Sequence, residues 1–200
     1  MMAEYLLLPF VEIEVRFGTI NGKKFDSSVD KNHFEKIKSE LMDSNYHWNE
    51  IKTTETVEYI KDSVKLIKNQ KDSTKVIMKE NVLTKTFSLK NSPFDIRFSI
   101  NQEFKLDSYL TSISTVESVV RTKNRVSFVS DTFQYDLTVV NEKVNNVNVL
   151  KYEIEIELLV NESTLTWSSE YILDFIECKI YDLVTIVEPM ERDSFKIKVL

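Results

Sequence analysis

Two short stretches carry the clearest chemical signal. Val11–Gly18 reads VEIEVRFG and Lys151–Leu158 reads KYEIEIEL, so Glu12, Glu14, Glu153, Glu155 and Glu157 alternate with apolar residues. In an extended strand residues i and i+2 share a face, which sets Glu12, Glu14 and Arg16 against Ile13, Val15 and Phe17. Glutamate is a poor strand former, and like charges on one face cost stability. A lone pair of alternating glutamates is ordinarily a solvated sheet face. Three in succession with no lysine between them point elsewhere, because a divalent cation reverses the sign of that cost. Mg²⁺ or Mn²⁺ takes hard oxygen ligands in octahedral geometry, with waters and substrate phosphates completing the shell. Carboxylates at i and i+2 lie about 6.6 Å apart along a strand and can share an ion when a neighbouring strand supplies a third.

Cationic residues alternate in the same way. RTKNRVSF sets Arg121, Lys123 and Arg125 on one face, DIRFSINQE does so for Asp95, Arg97, Ser99, Asn101 and Glu103, and KVIMKE offers Lys75 and Lys79. An arginine pointing into a sheet protein is costly unless it is paired or given an anion. Each basic triplet alone is most often solvated. Acidic and basic strands facing one another describe a pocket for a metal-bound polyphosphate.

Other chemistries lack material. Gly18 and Gly22 are the only glycines, and no phosphate loop or dinucleotide fingerprint can be built from them. Cys178 is the single cysteine, which excludes an internal disulfide and a cysteine-rich zinc site. Its setting, IECKI, has neither a preceding histidine nor an arginine five residues on, unlike a cysteine-phosphatase nucleophile. His33 and His47 alone argue against a histidine triad or metal cluster. A net charge of −6 argues against binding along a nucleic-acid backbone, though not against a basic pocket gripping one end of a chain. MMAEYLLLPF has no basic leader and too short an apolar run for a signal peptide, and no stretch reaches membrane-spanning length. The expected compartment is intracellular and reducing, with no membrane partner.

The elements that must position these residues are mostly strands. Alternation or β-branched runs predict strands over 10–20, 55–60, 63–69, 74–80, 95–104, 125–130, 133–140, 148–160 and 194–200. Two segments show helical spacing: Phe34, Ile37 and Leu41 behind an Asp30 N-cap, and Ile172, Phe175, Ile176, Ile180 and Leu183 behind Ser168 or Ser169. Trp48 and Trp167 read as packing residues, and His33, His47 and Cys178 receive no role. With no repeat or linker, the expectation is one mainly β domain over residues 1–200, antiparallel, closed or sandwiched to remove its edges.

At this point the motifs resemble a known family. VEIEVRFG and KYEIEIEL, with DIRFSINQE, RTKNRVSF and FQYDLTVV between them in the same order, are similar to the motifs of the triphosphate tunnel metalloenzymes. More narrowly, they resemble the metal-dependent RNA 5′-triphosphatases of fungi, protists and large DNA viruses, which begin mRNA capping. The resemblance runs from about residue 10 to residue 160 and implies a closed eight-stranded antiparallel tunnel with a few flanking helices. It implies hydrolysis of the terminal phosphate of 5′-triphosphate RNA with Mg²⁺ or Mn²⁺, and of nucleoside triphosphates with Mn²⁺. By motif, Glu12, Glu14 and Glu157 would hold the metal, Glu155 and Glu153 would orient its waters or fix basic side chains, and Glu103 would position the attacking water. Lys79, Arg97, Lys123 and Arg125 would grip phosphate oxygens, supported by Asp136 and Thr138. Arg16 stands where the family often has lysine, and Lys65 where relatives carry a phosphate-binding arginine. A guanylyltransferase in cis or in trans would be the partner, the chain being able to serve as one module of a larger capping enzyme in a nucleus, viral factory or virion. No sequence-specific nucleic-acid binding is implied. Two other readings are a tripolyphosphatase or thiamine-triphosphatase on the same tunnel, and a non-catalytic β domain that binds through an acidic outer face.

Overall fold

Strands whose two faces differ in polarity bury the apolar one, and here the apolar faces point away from the barrel axis. The computed structural model describes residues 2–43, 45–69, 74–106, 119–144 and 147–192. In chain order these form α1 (Met2–Tyr5), β1 (Val11–Asn21), β2 (Lys24–Asp26), α2 (Lys31–Leu41), β3 (Glu50–Lys61), β4 (Val64–Asn69), β5 (Thr74–Ser88), β6 (Asp95–Leu106), β7 (Val119–Val129), β8 (Phe133–Val144), β9 (Val147–Leu158) and α3 (Ser169–Val187). The sheet order is β2-β1-β6-β5-β4-β3-β7-β8-β9, and an additional β1–β9 pairing closes eight strands into an antiparallel barrel with β2 attached outside the ring. The strand expected over 194–200 lies outside the described residues.

The core sits between one half of the barrel wall and the helices. Ile13, Val15 and Phe17 of β1, Ile96, Phe98 and Ile100 of β6, Tyr135 and Leu137 of β8, and Ile154 and Ile156 of β9 all point outward. They meet Phe34, Ile37 and Leu41 of α2 and Ile172, Ile176, Ile180 and Leu183 of α3. Both helices start as expected: Asp30 accepts from the amides of Asn32 and His33, and Ser168 accepts from Tyr171 N. Trp48 packs edge-on to Phe133 and Tyr135, and Trp167 against Phe175. On the other half of the wall, Ile51 of β3 and Val82 of β5 face solvent, although Val76 of β5 is buried and its Leu83 and Phe87 pack against the core.

Several strands outrun the alternation that announced them, three of them by five residues or more. β3 begins at Glu50 rather than 55, β5 continues to Ser88 rather than 80, and β7 begins at Val119 rather than 125. The added parts of β3 and β7 are largely polar, so little apolar period marks them, whereas that of β5 carries Leu83 and Phe87, partly buried against the core, beyond a break in the period. In β5 the register also shifts between Asn81 and Leu83, a bulge that moves the lining positions from odd to even numbers. Lys79 and Asn81 therefore share a face with Thr84 and Thr86, which the period of two would have set on the opposite side.

The β1–β9 ladder stops at Arg16 opposite Glu155, although β9 starts eight residues earlier at Val147. The chain after the β1–β2 turn fills this gap: Val29 N donates to Tyr152 O at 2.8 Å, and Tyr152 N donates to Ser28 Oγ at 3.3 Å. This strap lies so close to β1 that a Cβ on Gly18 would stand 2.0 Å from the Asp26 carbonyl oxygen and 2.8 Å from Phe25 Cζ. Gly18→Ala is therefore expected to lift the strap and cost about 1–3 kcal/mol, as overpacking against backbone does. Thermal melts, with amide exchange at Val29 and Tyr152, check this; an unchanged melting temperature and unchanged protection would refute it.

Candidate active site

The lining of the barrel is built by register. Glu14 is paired with Glu157 and Arg16 with Glu155 across β1 and β9, while Glu14 faces Ser99 and Arg16 faces Arg97 across β1 and β6. The alternating glutamates thus turn inward, which removes the basis for an acidic outer face: Glu153 is 1% exposed and Glu155 6%.

Each inward charge has been given neighbours. Lys79 donates to Glu12 Oε2, lies 3.4 Å from Glu14 Oε1 and stands 3.6 Å from Glu103 Oε1. Asn101 Nδ2 donates to Glu12 and Glu14, at 3.3 Å each. Arg16 bridges Glu14 (3.0 Å) and Glu155 (2.7 Å). Arg125 reaches Asp136 Oδ2 at 2.6 Å, Glu155 Oε2 at 3.1 Å and Thr138 Oγ1 at 3.1 Å. Lys123 Nζ lies 3.0 Å from Glu58 Oε2. Glu153 accepts from Ser27 Oγ at 3.1 Å and stands 3.8 Å from Arg121 Nη1. Glu155 and Glu153 are thus placed to fix basic side chains.

Charge balance varies along the tunnel. Burial alone would raise the Glu155 pKa, but Arg16 and Arg125 outweigh it and hold this carboxyl well below its ordinary range. Glu157 is in the opposite situation. Burial, together with Glu12 and Asp136, pushes it up to about 8 against weaker relief from Arg125. Its partner is neutral: Gln134 Nε2 donates to Glu157 Oε2 at 2.8 Å and to Asp136 Oδ2 at 3.2 Å. Burial and Glu14 raise Glu12 as well. Positive charge is therefore short around Glu12 and Glu157, and three carboxylates on one face are hard donors suited to a divalent cation. Among the described residues no three His, Cys, Asp or Glu side chains stand together as a ready metal cluster. The Lys79 ammonium occupies part of that space.

Negative charge is short on the adjacent wall. A cavity of about 320 Å³ is lined by Glu14, Arg16, Lys65, Lys79, Arg97 and Asn101, with Asn81, Thr84 and Ser99. Burial and then Lys79 lower the Lys65 pKa; burial and then Arg16 lower that of Arg97. Among the described residues neither has an ion-paired carboxylate, and Arg97 stacks instead on the Phe25 ring, 5.0 Å from its centroid.

Apart from Lys75, the residues singled out from the sequence for the acidic and basic walls fall on the lining face of this one tunnel. Lys75, which shares its strand with Lys79, is exposed. Sequence reasoning missed Asn81, Gln134, Glu58, Phe25 and Ser27. Gln134 was legible as the residue two before Asp136 on the same strand face, and Glu58 as an inward position of ETVEYI, whereas Phe25 and Ser27 follow only from the strap. A separate cleft of about 650 Å³ opens outside the barrel between α2, α3 and β8, lined by Tyr46, Trp48, Phe133, Tyr135, Lys179 and Asp182 among others.

A closed antiparallel barrel with an acidic and a basic wall turned inward has the architecture of the triphosphate tunnel enzymes. The family described as mRNA capping enzyme, beta chain, the mRNA triphosphatases, matches residues 26–168, and the chain belongs to it. It is therefore a hydrolase of the RNA triphosphatase class, a metal-dependent group. The match leaves out β1, whose Glu12 and Glu14 join the site through the sheet register. The fold is similar to that of S. pombe Pct1 RNA triphosphatase, with a TM-score of 0.73 at 18% identity over 91% of this chain and 88% of that one. A structure of Pct1 in complex with the Spt5 CTD matches at 0.69 and 18%, over 91% and 90%. The Mimivirus capping enzyme triphosphatase matches at 0.62 and 17%, over 94% and 93%. No curated protein matches by sequence.

Opposite charge balance at two adjacent glutamates gives opposite expectations. Glu157→Gln removes a carboxyl whose charged form the folded barrel disfavours and should raise the melting temperature in EDTA by about 2–4 °C, while abolishing any rise on adding Mg²⁺ or Mn²⁺. Glu155→Gln takes a shared anion from Arg16 and Arg125. Because each keeps a second carboxylate, it should cost about 2–3 kcal/mol, the lower side of what breaking a buried pair costs. Thermal melts of both variants with and without metal decide the matter: equal shifts of the same sign would show that the balance described here is wrong.

Proposed function

We propose that this chain removes the γ-phosphate from 5′-triphosphate RNA as the first step of cap formation, using Mg²⁺ or Mn²⁺, and that it also hydrolyses nucleoside triphosphates with Mn²⁺. The observation that carries this reading is one tunnel in which carboxylates short of positive charge face cations short of negative charge. Glu12, Glu14 and Glu157 would hold the ion, which supplies Lewis-acid polarisation of a phosphoryl oxygen when bound.

The remaining work falls to the chain's own side chains. Lys65, Arg97 and a displaced Lys79 bind and orient the phosphate chain. Lys123 and Arg125, held by Glu58 and by Asp136, Thr138 and Glu155, present fixed positive charge toward oxygens on which charge accumulates as the bond breaks. Glu103 is the most exposed carboxylate near Lys79, with 30% of its side chain accessible, and in this reading it orients or deprotonates the attacking water. No covalent intermediate is needed. An eight-stranded barrel has room for side chains and one small ligand, which suits the end of an RNA rather than its body and recognition that ignores base sequence.

One structure of the relative Pct1 is a complex with the Spt5 CTD. For this chain we infer work beside a guanylyltransferase, fused or separate, in an intracellular setting such as a nucleus or a viral factory. Among the described residues no helix is long and apolar enough to cross a membrane.

Phosphate release from triphosphate RNA, ATP and tripolyphosphate, each with Mg²⁺, Mn²⁺ or EDTA, tests the reading. Release from RNA ends that EDTA stops is expected. Release from tripolyphosphate alone would keep the tunnel chemistry and remove the capping role. Glu12→Ala and Glu157→Ala should abolish turnover in folded protein, and Lys123→Ala or Arg125→Ala should slow it about a hundredfold, the scale for losing one charge-stabilising group. Normal rates in both basic variants would move the phosphate site elsewhere.

A further inference from the structure

Arg97 is placed where a cation is hardest to keep. It sits directly opposite Arg16 across the β1–β6 ladder, so two guanidinium groups share one stretch of tunnel wall. Arg16 is neutralised by Glu14 and Glu155. Arg97 has no such relief among the described residues, and its guanidinium carbon lies 5.0 Å from the centre of the Phe25 ring.

The ring arrives from an unexpected direction. Phe25 pairs with Ile20 in the β1–β2 ladder, continuing inward the row of Glu14, Arg16 and Gly18. Its side chain passes over Gly18, where a Cβ would stand 2.8 Å from Cζ, and so reaches Arg97. Two residues on, Ser27 Oγ donates to Glu153 Oε1 at 3.1 Å, which ties the same strap to the tunnel lining. The missing side chain at Gly18 thus forms the seat of the ring.

We propose that Phe25 is a positioning residue for Arg97, holding its guanidinium by stacking so that its N–H donors and its full charge remain available to a phosphoryl oxygen of the substrate. A carboxylate in the same place would fix Arg97 equally well, but would take up donors and cancel the charge. An aromatic face attracts the cation through its quadrupole and accepts no N–H in the guanidinium plane. The tunnel therefore contains two kinds of arginine: Arg16, Arg121 and Arg125, each held by carboxylates, and Arg97, oriented by a ring with no carboxylate paired to it among the described residues. This role rests on the triphosphatase reading and names the side chain that readies one of its phosphate contacts.

The test uses the full chain as wild type, Phe25→Leu, Phe25→Tyr, Arg97→Ala and the double variant Phe25→Leu/Arg97→Ala. Calorimetry follows binding of inorganic tripolyphosphate in EDTA, and kinetics give KM and kcat for phosphate release from triphosphate RNA with Mg²⁺. Phe25→Leu should weaken tripolyphosphate binding and raise KM roughly three- to tenfold, the scale of one cation–π contact, and Phe25→Tyr should restore both. In the Arg97→Ala background Phe25→Leu should have no further effect on binding. Wild-type binding by Phe25→Leu overturns the proposal, and so does an equal loss whether or not Arg97 is present, since that marks a structural role for the strap. If Phe25→Leu fails to fold, the Tyr variant decides: it keeps the ring, and impaired binding in a folded Tyr variant overturns the proposal. A wild-type chain that neither binds nor cleaves any triphosphate fails the triphosphatase reading itself, a result distinct from active protein indifferent to position 25.

Discussion

Carboxylates and cations that alternate along the strands are forced onto the concave side of the sheet because the other face is needed for the core, and most other features of the molecule follow from that inversion. Ile13, Val15 and Phe17 can be buried only by pointing at α2 and α3, so Glu12, Glu14 and Arg16 must point at the barrel axis. A buried ion pair roughly breaks even against an apolar pair of the same size. The interior network therefore contributes little net stability, and the fold is held by the layer between the wall and the helices. Because stability is supplied outside, the lining can be imbalanced locally without unfolding the barrel.

The imbalance is structured. Glu155 is central, shared by Arg16 and Arg125 and fully satisfied by them. Moving from it toward Gln134, carboxylates outnumber cations, and Glu157 is left with an amide for a partner. Moving toward β4, β5 and β6, cations outnumber carboxylates, and Lys65 and Arg97 have none paired to them among the described residues. A lone divalent ion would correct the first region and leave the second repelling. A lone polyphosphate would do the reverse. Only a ligand carrying both charges, a metal with a phosphate chain, relieves both at once. That argument rests on the wall charges alone and reaches the same chemistry as the family membership.

The legible part of this in the sequence was the part governed by a period of two. VEIEVRFG, DIRFSINQE, RTKNRVSF and KYEIEIEL each assign their residues to a face by parity, and the structure keeps every one of those assignments. What parity could not reach was interrupted or non-local. The β5 bulge at Asn81 to Leu83 reverses parity within one strand, so Thr84 and Thr86 were read as neither lining nor strand. The three residues of β2 are too few to show any period, and Phe25 enters the site only because Gly18, on another strand, leaves room. Which glutamate is satisfied and which is not was also hidden, since Glu153, Glu155 and Glu157 look equivalent in a string of letters. They differ because Arg16 and Arg125 reach Glu155, whereas Glu157 faces the neutral Gln134.

The closing strand raises a last question of register. β1 supplies half the acidic wall, and its glutamates are useful only if Glu14 falls opposite Glu157 and Arg16 opposite Glu155. A slip of one residue would bury Glu12 and Glu14 among the helices, which the core forbids. A slip of two preserves the faces, so the apolar pattern cannot forbid it. In one direction it would set Glu14 opposite Glu155 and in the other opposite Leu159, and in both it would separate Arg16 from Glu155. Contacts at both ends of β1 fix its register against β6, and the strap, bonded to Tyr152 and Glu153, ties the same strand to β9. At one end Glu103 N donates to Phe10 O at 2.9 Å, with the Phe10 ring edge-on to Phe104 at 5.8 Å. At the other, Ile20 N donates to Asp95 Oδ2 at 2.6 Å, just beyond the glycine over which the strap closes. Gly18 therefore acts twice, giving Phe25 its seat and fixing by close backbone contact the one position of β1 at which the strap fits. The register of the acidic wall and the placing of Arg97 depend on the same missing side chain.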